Sequence, residues 1–230
     1  GPPGSTPPAT YPGRMLIDSV TWLGHAGFMV AAAGATVYID PYRVPSGSPR
    51  ADVVLVTHGH YDHFSPRDVE ALSDRDTWLI GPPAVVERAR GRVAAIAPGE
   101  TLELEGVHGL DVTAVAAYNT SKRDSDGNPF HPRAAGGVGF DLNVRGERLY
   151  HAGDTDVIPE MDAVVGVDVA LLPVCGGYVM TAAEAVEAAR RIQPRVAVPS
   201  HWGAHLGSRA DAERFAAGAP VEVRLLERAG

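Results

Sequence analysis

Between residues 58 and 63 the chain reads His58-Gly-His60-Tyr-Asp62-His63, directly after the apolar run 53–56. Three imidazoles and a carboxylate in so short a span are hard to place in a hydrophobic core. Each buried polar group needs its own partner, and four together are costly to satisfy. On a loop that leaves a strand, His58 and His60 can point to one side and Asp62 and His63 to another. Neutral imidazoles and carboxylates are ligands suited to Zn²⁺, Mn²⁺ or Fe. The bland alternative is a solvated histidine-rich turn. The metal reading requires a fold that delivers a strand end to a shared polar pocket.

Around this loop, short apolar and β-branched runs punctuated by Gly, Pro and Asp predict strands over 16–20, 28–32, 36–39, 53–56, 78–80 and 93–96. Helices are expected over 66–73 and 83–90, where Pro66 and Pro83 suit a first helical turn. The second half repeats the rhythm, with strands over 110–116, 138–144, 148–151, 169–172, 196–199 and 221–225 and helices over 181–192 and 209–217. Thr181 with Glu184 forms a capping box, and Pro194 stops that helix. The pattern predicts two sheets with helices packed outside and two halves alike in layout. The stretch 119–137 is polar and rich in Asp, Pro and Gly, and a loop of that length is usually functional or disordered.

With 230 residues the chain can bury a sizeable core, and a single α/β domain is expected over 15–230. Residues 1–14 read as a disordered N-terminal segment or a cloning remnant. No stretch approaches the roughly 18 uninterrupted apolar residues of a membrane span, so no membrane is expected. The net charge is −8, and no block of Lys or Arg stands out, which counts against a nucleic-acid partner. The single cysteine, Cys175, excludes an intrachain disulfide, and the N-terminal stretch lacks the apolar core of a signal peptide. A cytoplasmic location is the resulting expectation.

H-x-H-x-D-H at the end of a strand is the signature of the metallo-β-lactamase superfamily, which this chain resembles from about Leu16 to its C-terminus. The resemblance implies a four-layer αββα sandwich of two similar halves. It also implies a centre of two divalent metal ions, zinc first, with manganese or iron as alternatives. Tyr150-His-Ala-Gly-Asp-Thr-Asp156 is similar to the family's Gly-Asp-Thr segment, which makes Asp154 the carboxylate bridging the metals. Pro199-Ser-His201 matches the family's C-terminal histidine, assigned to the metal that Asp62 and His63 hold. The metal at His58 and His60 calls for one more histidine. His108 sits in a Gly-flanked turn and reads as structural, so His131 in the polar loop is taken as the ligand. In related subfamilies that ligand stands roughly where Asn119 is, and Asn119 is expected to line the site. Trp22-Leu-Gly-His25-Ala-Gly is similar to a strand-turn element of the lactonase-like and phospholipase-like branches, which puts His25 near the active site. Ile39-Asp40-Pro41 resembles the family's buried Asp, which accepts an N–H from a metal-bound histidine.

The resemblance implies a metal-dependent hydrolase that activates water to cleave a small ester, lactone, amide or phosphodiester. The alternatives are an iron-dependent oxidoreductase of the persulfide dioxygenase kind and a non-catalytic binding member. Asp62 is expected to handle a proton, and His25 or a tyrosine to stabilise an oxyanion. Tyr118 is expected to bring a phenol to the site mouth, Tyr178 and Met180 a wall, and Lys122 or Arg123 a cation for an anionic substrate. His205 would approach the site on a helical turn, and Cys175 reads as a small buried residue. The expected partner is a small-molecule substrate, and self-association into a homo-oligomer stays open.

Overall fold

In the computed structural model, which describes residues 15–230, the strands form two sheets in strict chain order. The first sheet is β1 (Val20–Gly24), β2 (Gly27–Ala32), β3 (Ala35–Ile39), β4 (Val53–Leu55), β5 (Trp78–Gly81) and β6 (Arg92–Ala95). Its first three strands are antiparallel and the rest run parallel from β3. The second comprises β7 (Thr101–Glu103), β8 (Leu110–Ala116), β9 (Val138–Val144), β10 (Glu147–His151), β11 (Val169–Pro173), β12 (Val196–Ser200) and β13 (Glu222–Val223). It repeats the plan, antiparallel from β7 to β10 and parallel from β10 to β13. Four helices, α1 (Pro66–Leu72), α2 (Pro83–Val86), α3 (Ala182–Ile192) and α4 (Arg209–Gly218), complete the sandwich.

The alternation of apolar side chains sets which face each strand presents. Val37, Ile39, Val53 and Leu55 pack with Phe140, Leu142, Leu149 and Leu171 of the second sheet in one large core. Their neighbours Tyr38, Val54 and Val56 turn the other way, onto Phe64, Leu72 and Val85 around α1 and α2. Both faces of these strands are covered, so the sequence reads as unbroken apolar runs. Helix α3 buries Ala185, Ala188, Ala189 and Ile192 at helical spacing. Its capping box forms: Thr181 accepts the Glu184 N–H and the Glu184 carboxylate accepts the Thr181 N–H.

Several local expectations are corrected. Residues Leu16–Ser19 form a 3-10 turn, and the first strand begins at Val20. Asp18 accepts the Met15 N–H and Glu147 accepts the Leu16 N–H, which lets the adjacent Leu16 and Ile17 both be buried. A strand would put such neighbours on opposite faces. Helix α2 ends at Val86 and tightens into i→i+3 bonds at Arg88 and Ala89. The short edge strand β7 and a 3-10 helix over Pro159–Val164 carry no period strong enough to announce them. The expected disorder of 1–14 lies outside the described residues. Among the described residues, no helix is long and apolar enough to cross a membrane.

The C-terminal ends of β3, β4, β8, β10, β11 and β12 are followed by Asp40, His58–His63, Asn119, Asp154, Cys175 and His201. The β1–β2 turn adds His25. In α/β sheets, ligands characteristically bind outside the carboxyl ends of strands.

Candidate metal centre

Two sets of donors converge on one carboxylate. On one side His58 Nε2 lies 3.0 Å from His60 Nδ1, and His131 Nε2 lies 3.3 Å from the same nitrogen. Asp154 Oδ2 is 3.2 Å from His131 Nε2 and 3.8 Å from His58 Nε2. On the other side His63 Nε2 is 3.3 Å from Asp154 Oδ1, and His201 Nε2 is 3.2 Å from Asp154 Oδ2. Asp62 Oδ2 stands 3.9 Å from His63 Nε2 and 2.9 Å from His25 Nε2. His63 Nε2, His201 Nε2 and Asp154 Oδ1 are buried with no hydrogen-bond partner. Orphaned polar atoms of this kind call for an explanation. Imidazole lone pairs and a carboxylate facing one another are what a divalent cation satisfies.

The supporting contacts fix which nitrogen of each ring is free. Asp40 accepts the Thr57 N–H at 2.8 Å, the Thr57 hydroxyl at 2.6 Å and His63 Nδ1–H at 2.7 Å. With its proton given to Asp40, Thr57 Oγ1 accepts from His58 Nδ1 at 3.0 Å. Asn119 Oδ1 accepts both the backbone N–H of His131, at 2.8 Å, and its Nδ1–H, at 3.0 Å. The loop 119–137 is thereby tied at His131, and Asp156 fastens its start by accepting the Thr120 and Ser121 N–H groups. Cys175 Sγ lies 3.2 Å from His201 Nδ1. His25, Asp40 and His201 all adopt a left-handed backbone, with φ of 53°, 47° and 58°. Non-glycine residues pay for that conformation, and it clusters at functional sites. Gly153, at φ 66°, has no such choice: a Cβ there would sit 2.7 Å from the Val138 carbonyl, displacing Asp154 beside it.

Burial alone would lower the His201 imidazole, but the Asp154 carboxylate overrides it and pushes His201 up to about 10. His63 is raised as well, by Asp154 and Asp40 against its burial. His58, His60 and His25 are lowered, chiefly by burial, and stay neutral at pH 7. Burial would raise Asp154 and Asp62, yet His201 and His63 hold the first well below the usual carboxylate range and the His25 hydrogen bond helps hold the second there. A raised histidine stabilises the metal-free fold fully below its unfolded value of ~6.5, and that stability is lost as pH climbs through the folded value. The melting temperature of chelator-treated protein should therefore fall between pH 7 and about 10. A metal held by His63 and His201 would replace that proton, so metal-loaded protein should lack this component, and identical pH profiles for the two forms would contradict it.

Of the remaining expected residues, some surround the centre and some do not. His205 lies at the mouth on an irregular bend, with Nε2 2.8 Å from the Tyr42 hydroxyl. Half-buried Tyr42 and exposed Tyr61 complete an aromatic rim with it; the loop 42–50 is expected from the sequence to shape the pocket, whereas Tyr61 was missed. Tyr118 is a correction: its phenol donates to Glu160 at 3.0 Å, turned away by the 3-10 helix packed beside it. Lys122 is bound to Glu184 at 2.6 Å and is not free for an anion, whereas Arg123 is exposed and donates one N–H to the Gly127 carbonyl within its own loop. Met180 is fully buried, whereas Tyr178 packs its exposed ring against Phe130 and lends its carbonyl to Asn119. Cys175 is half-buried and touches His201, which its place after β11, level with the other strand ends, could have signalled. His151 was also missed: it donates to the Ala26 carbonyl and accepts the Gly153 N–H, bracing the turn before Asp154.

Residues 19–201 match the family model described as beta-lactamase superfamily domain. A UPF0173 metal-dependent hydrolase of Methanopyrus kandleri is 36% identical over 231 residues, covering 90% of this chain and 96% of its own. A crystal structure of a protein from Parabacteroides distasonis matches with a TM-score of 0.78 at 30% identity, over 91% of this chain and 93% of that one. The metallo hydrolase Igni18 of Ignicoccus hospitalis matches with a TM-score of 0.73 at 22% identity, over 92% and 95%, a likeness of fold alone.

Proposed function

Because the chain belongs to the beta-lactamase superfamily and, within it, to the UPF0173 metal-dependent hydrolases, we propose that it is a cytoplasmic two-metal hydrolase of a small ester, lactone, amide or phosphodiester. One observation carries the reading: a single buried carboxylate, Asp154, lies 3.2–3.3 Å from His63, His131 and His201, which belong to different donor sets. His58, His60 and His131 would hold one ion, Asp62, His63 and His201 the other, with Asp154 common to both. Zinc is the first choice for these donors. Such ions, when bound, polarise a carbonyl or phosphoryl oxygen and bring the pKa of a coordinated water to ~7.

The chain's own groups prepare this chemistry. Asp40, Thr57 and Asn119 keep protons on the Nδ1 atoms of His63, His58 and His131, leaving each Nε2 lone pair directed inward. Asp62 stays ionised, with its Oδ2 taking the His25 N–H, and as a carboxylate it is the group that would accept a water proton. His25 spends its donor on Asp62, so it acts as a positioning residue for that carboxylate and not as an oxyanion donor. His25→Ala should lower turnover by about 10- to 100-fold, the range for losing a contact that orients a ligand. Metal content, measured by mass spectrometry, should stay close to wild type; unchanged turnover would contradict the role.

The reading itself is tested by assaying lactone, ester, amide, thioester and phosphodiester substrates with Zn²⁺, Mn²⁺ and Fe²⁺. Activity should vanish with chelator and return with metal. Protein that purifies with mostly iron and consumes oxygen would contradict it.

A further inference from the structure

Beside His60, His131 and Asp154 lies a cavity of about 180 Å³. Pro82, Val85, Ala117, Phe130, Pro132 and Val138 form much of its wall. The polar side chains that reach it are His58, His60, His131 and Asp154, all assigned above to the metal centre. Phe130, His131 and Pro132 come from the 119–137 loop, which roofs it, and Phe130 is backed by the Tyr178 ring at 4.4 Å.

The cations nearest the cavity stay outside its lining. Lys122 is held by Glu184 and Asp156 at 2.6 and 3.7 Å. Arg133 donates to Glu160 at 2.8 Å, with its guanidinium over the Tyr118 ring. Arg88 donates to the Gly59 carbonyl at 3.0 Å and lies over Phe64. An anionic group entering the cavity would be desolvated against a wall that carries no Lys or Arg side chain, which is costly. An apolar group would gain by leaving water.

We propose that this cavity is the subsite for an uncharged apolar substituent of the substrate, about the size of a phenyl ring or a short branched alkyl chain. Apolar cavities of about 150 Å³ hold benzene, so the volume suffices. The proposal rests on the two-metal reading and narrows it. The scissile bond lies at the metal centre, and the group attached on the His60–His131 side is neutral and apolar.

The test uses hydroxamates, whose chelating head is common to every member and whose tail reports on the cavity. Calorimetry on metal-loaded protein should give benzohydroxamate about tenfold or more tighter binding than acetohydroxamate, the effect of burying an aromatic ring. A para-carboxylate on the same ring should cancel that gain. Ala84 and Ala135 stand on the cavity rim and are exposed, so Ala84→Phe and Ala135→Phe should fold and should each erase the preference, with metal content retained. Phe130→Ala should shift the preference to a naphthyl tail. Equal affinity for the aceto and benzo probes overturns the subsite, as does a preference that survives both rim variants or full affinity for the carboxylated ring. If neither probe binds, the two-metal reading falls and the subsite with it.

Discussion

Asp154→Ala should remove bound metal and hydrolysis together, with turnover reduced on the order of 10³-fold or more, because water without a metal returns to a pKa of ~15.7. The carboxylate is buried, and its oxygens lie within 3.8 Å of His58, His63, His131 and His201. On the proposed assignment, removing it would deprive both donor sets of a ligand at once. It also strips His63 and His201 of the charge that raises them, so both become ordinary buried imidazoles facing one another. Breaking a buried pair costs roughly 3–5 kcal/mol, and the metal-free variant should be destabilised on that scale. Asp154→Asn keeps the volume and separates charge from packing. Metal analysis, initial rates and thermal melts on both variants make the comparison, and full occupancy in either one would contradict the bridging role.

Asp40→Ala should be nearly as damaging, although Asp40 is not among the groups that would hold metal. It is fully buried and accepts from the Thr57 N–H, the Thr57 hydroxyl and His63 Nδ1. Each donor left unpaired costs ~1–3 kcal/mol, so a loss of several kcal/mol is expected. Metal affinity should drop about 10- to 100-fold, the usual effect of losing the group that orients a ligating histidine. Asp40 also sits at φ 47°, a conformation that Asn tolerates better than Ala. Asp40→Asn should therefore recover much of the stability and less of the affinity. Equal recovery of both would mean that Asp40 only braces the backbone.

What the sequence could reveal follows from how local each signal is. His58, His60, Asp62 and His63 sit within one loop after an apolar strand, so their clustering needs no tertiary knowledge. Asp154 and His201 each follow the end of a strand, and parallel strands bring such ends to one edge. Tyr118 shows the limit. Its backbone stands at the same edge, but its side chain turns to Glu160, a contact set by packing over 42 residues of separation. Lys122 looked free in sequence because its partner Glu184 lies 62 residues away on α3. The Cys175–His201 contact and the cavity under the 119–137 loop belong to the same kind: they arise only when loops from several strands are folded onto one another. The 16–20 segment failed for both reasons: Asp18, three residues away, and Glu147, 131 residues away, captured N–H groups that a strand would have used.

The most direct test is anomalous X-ray diffraction at the zinc edge on crystals of metal-loaded, active protein. Two peaks are expected, one against His58, His60 and His131, the other against Asp62, His63 and His201, with Asp154 touching both. A single peak, or none, in fully active protein would contradict a two-metal centre.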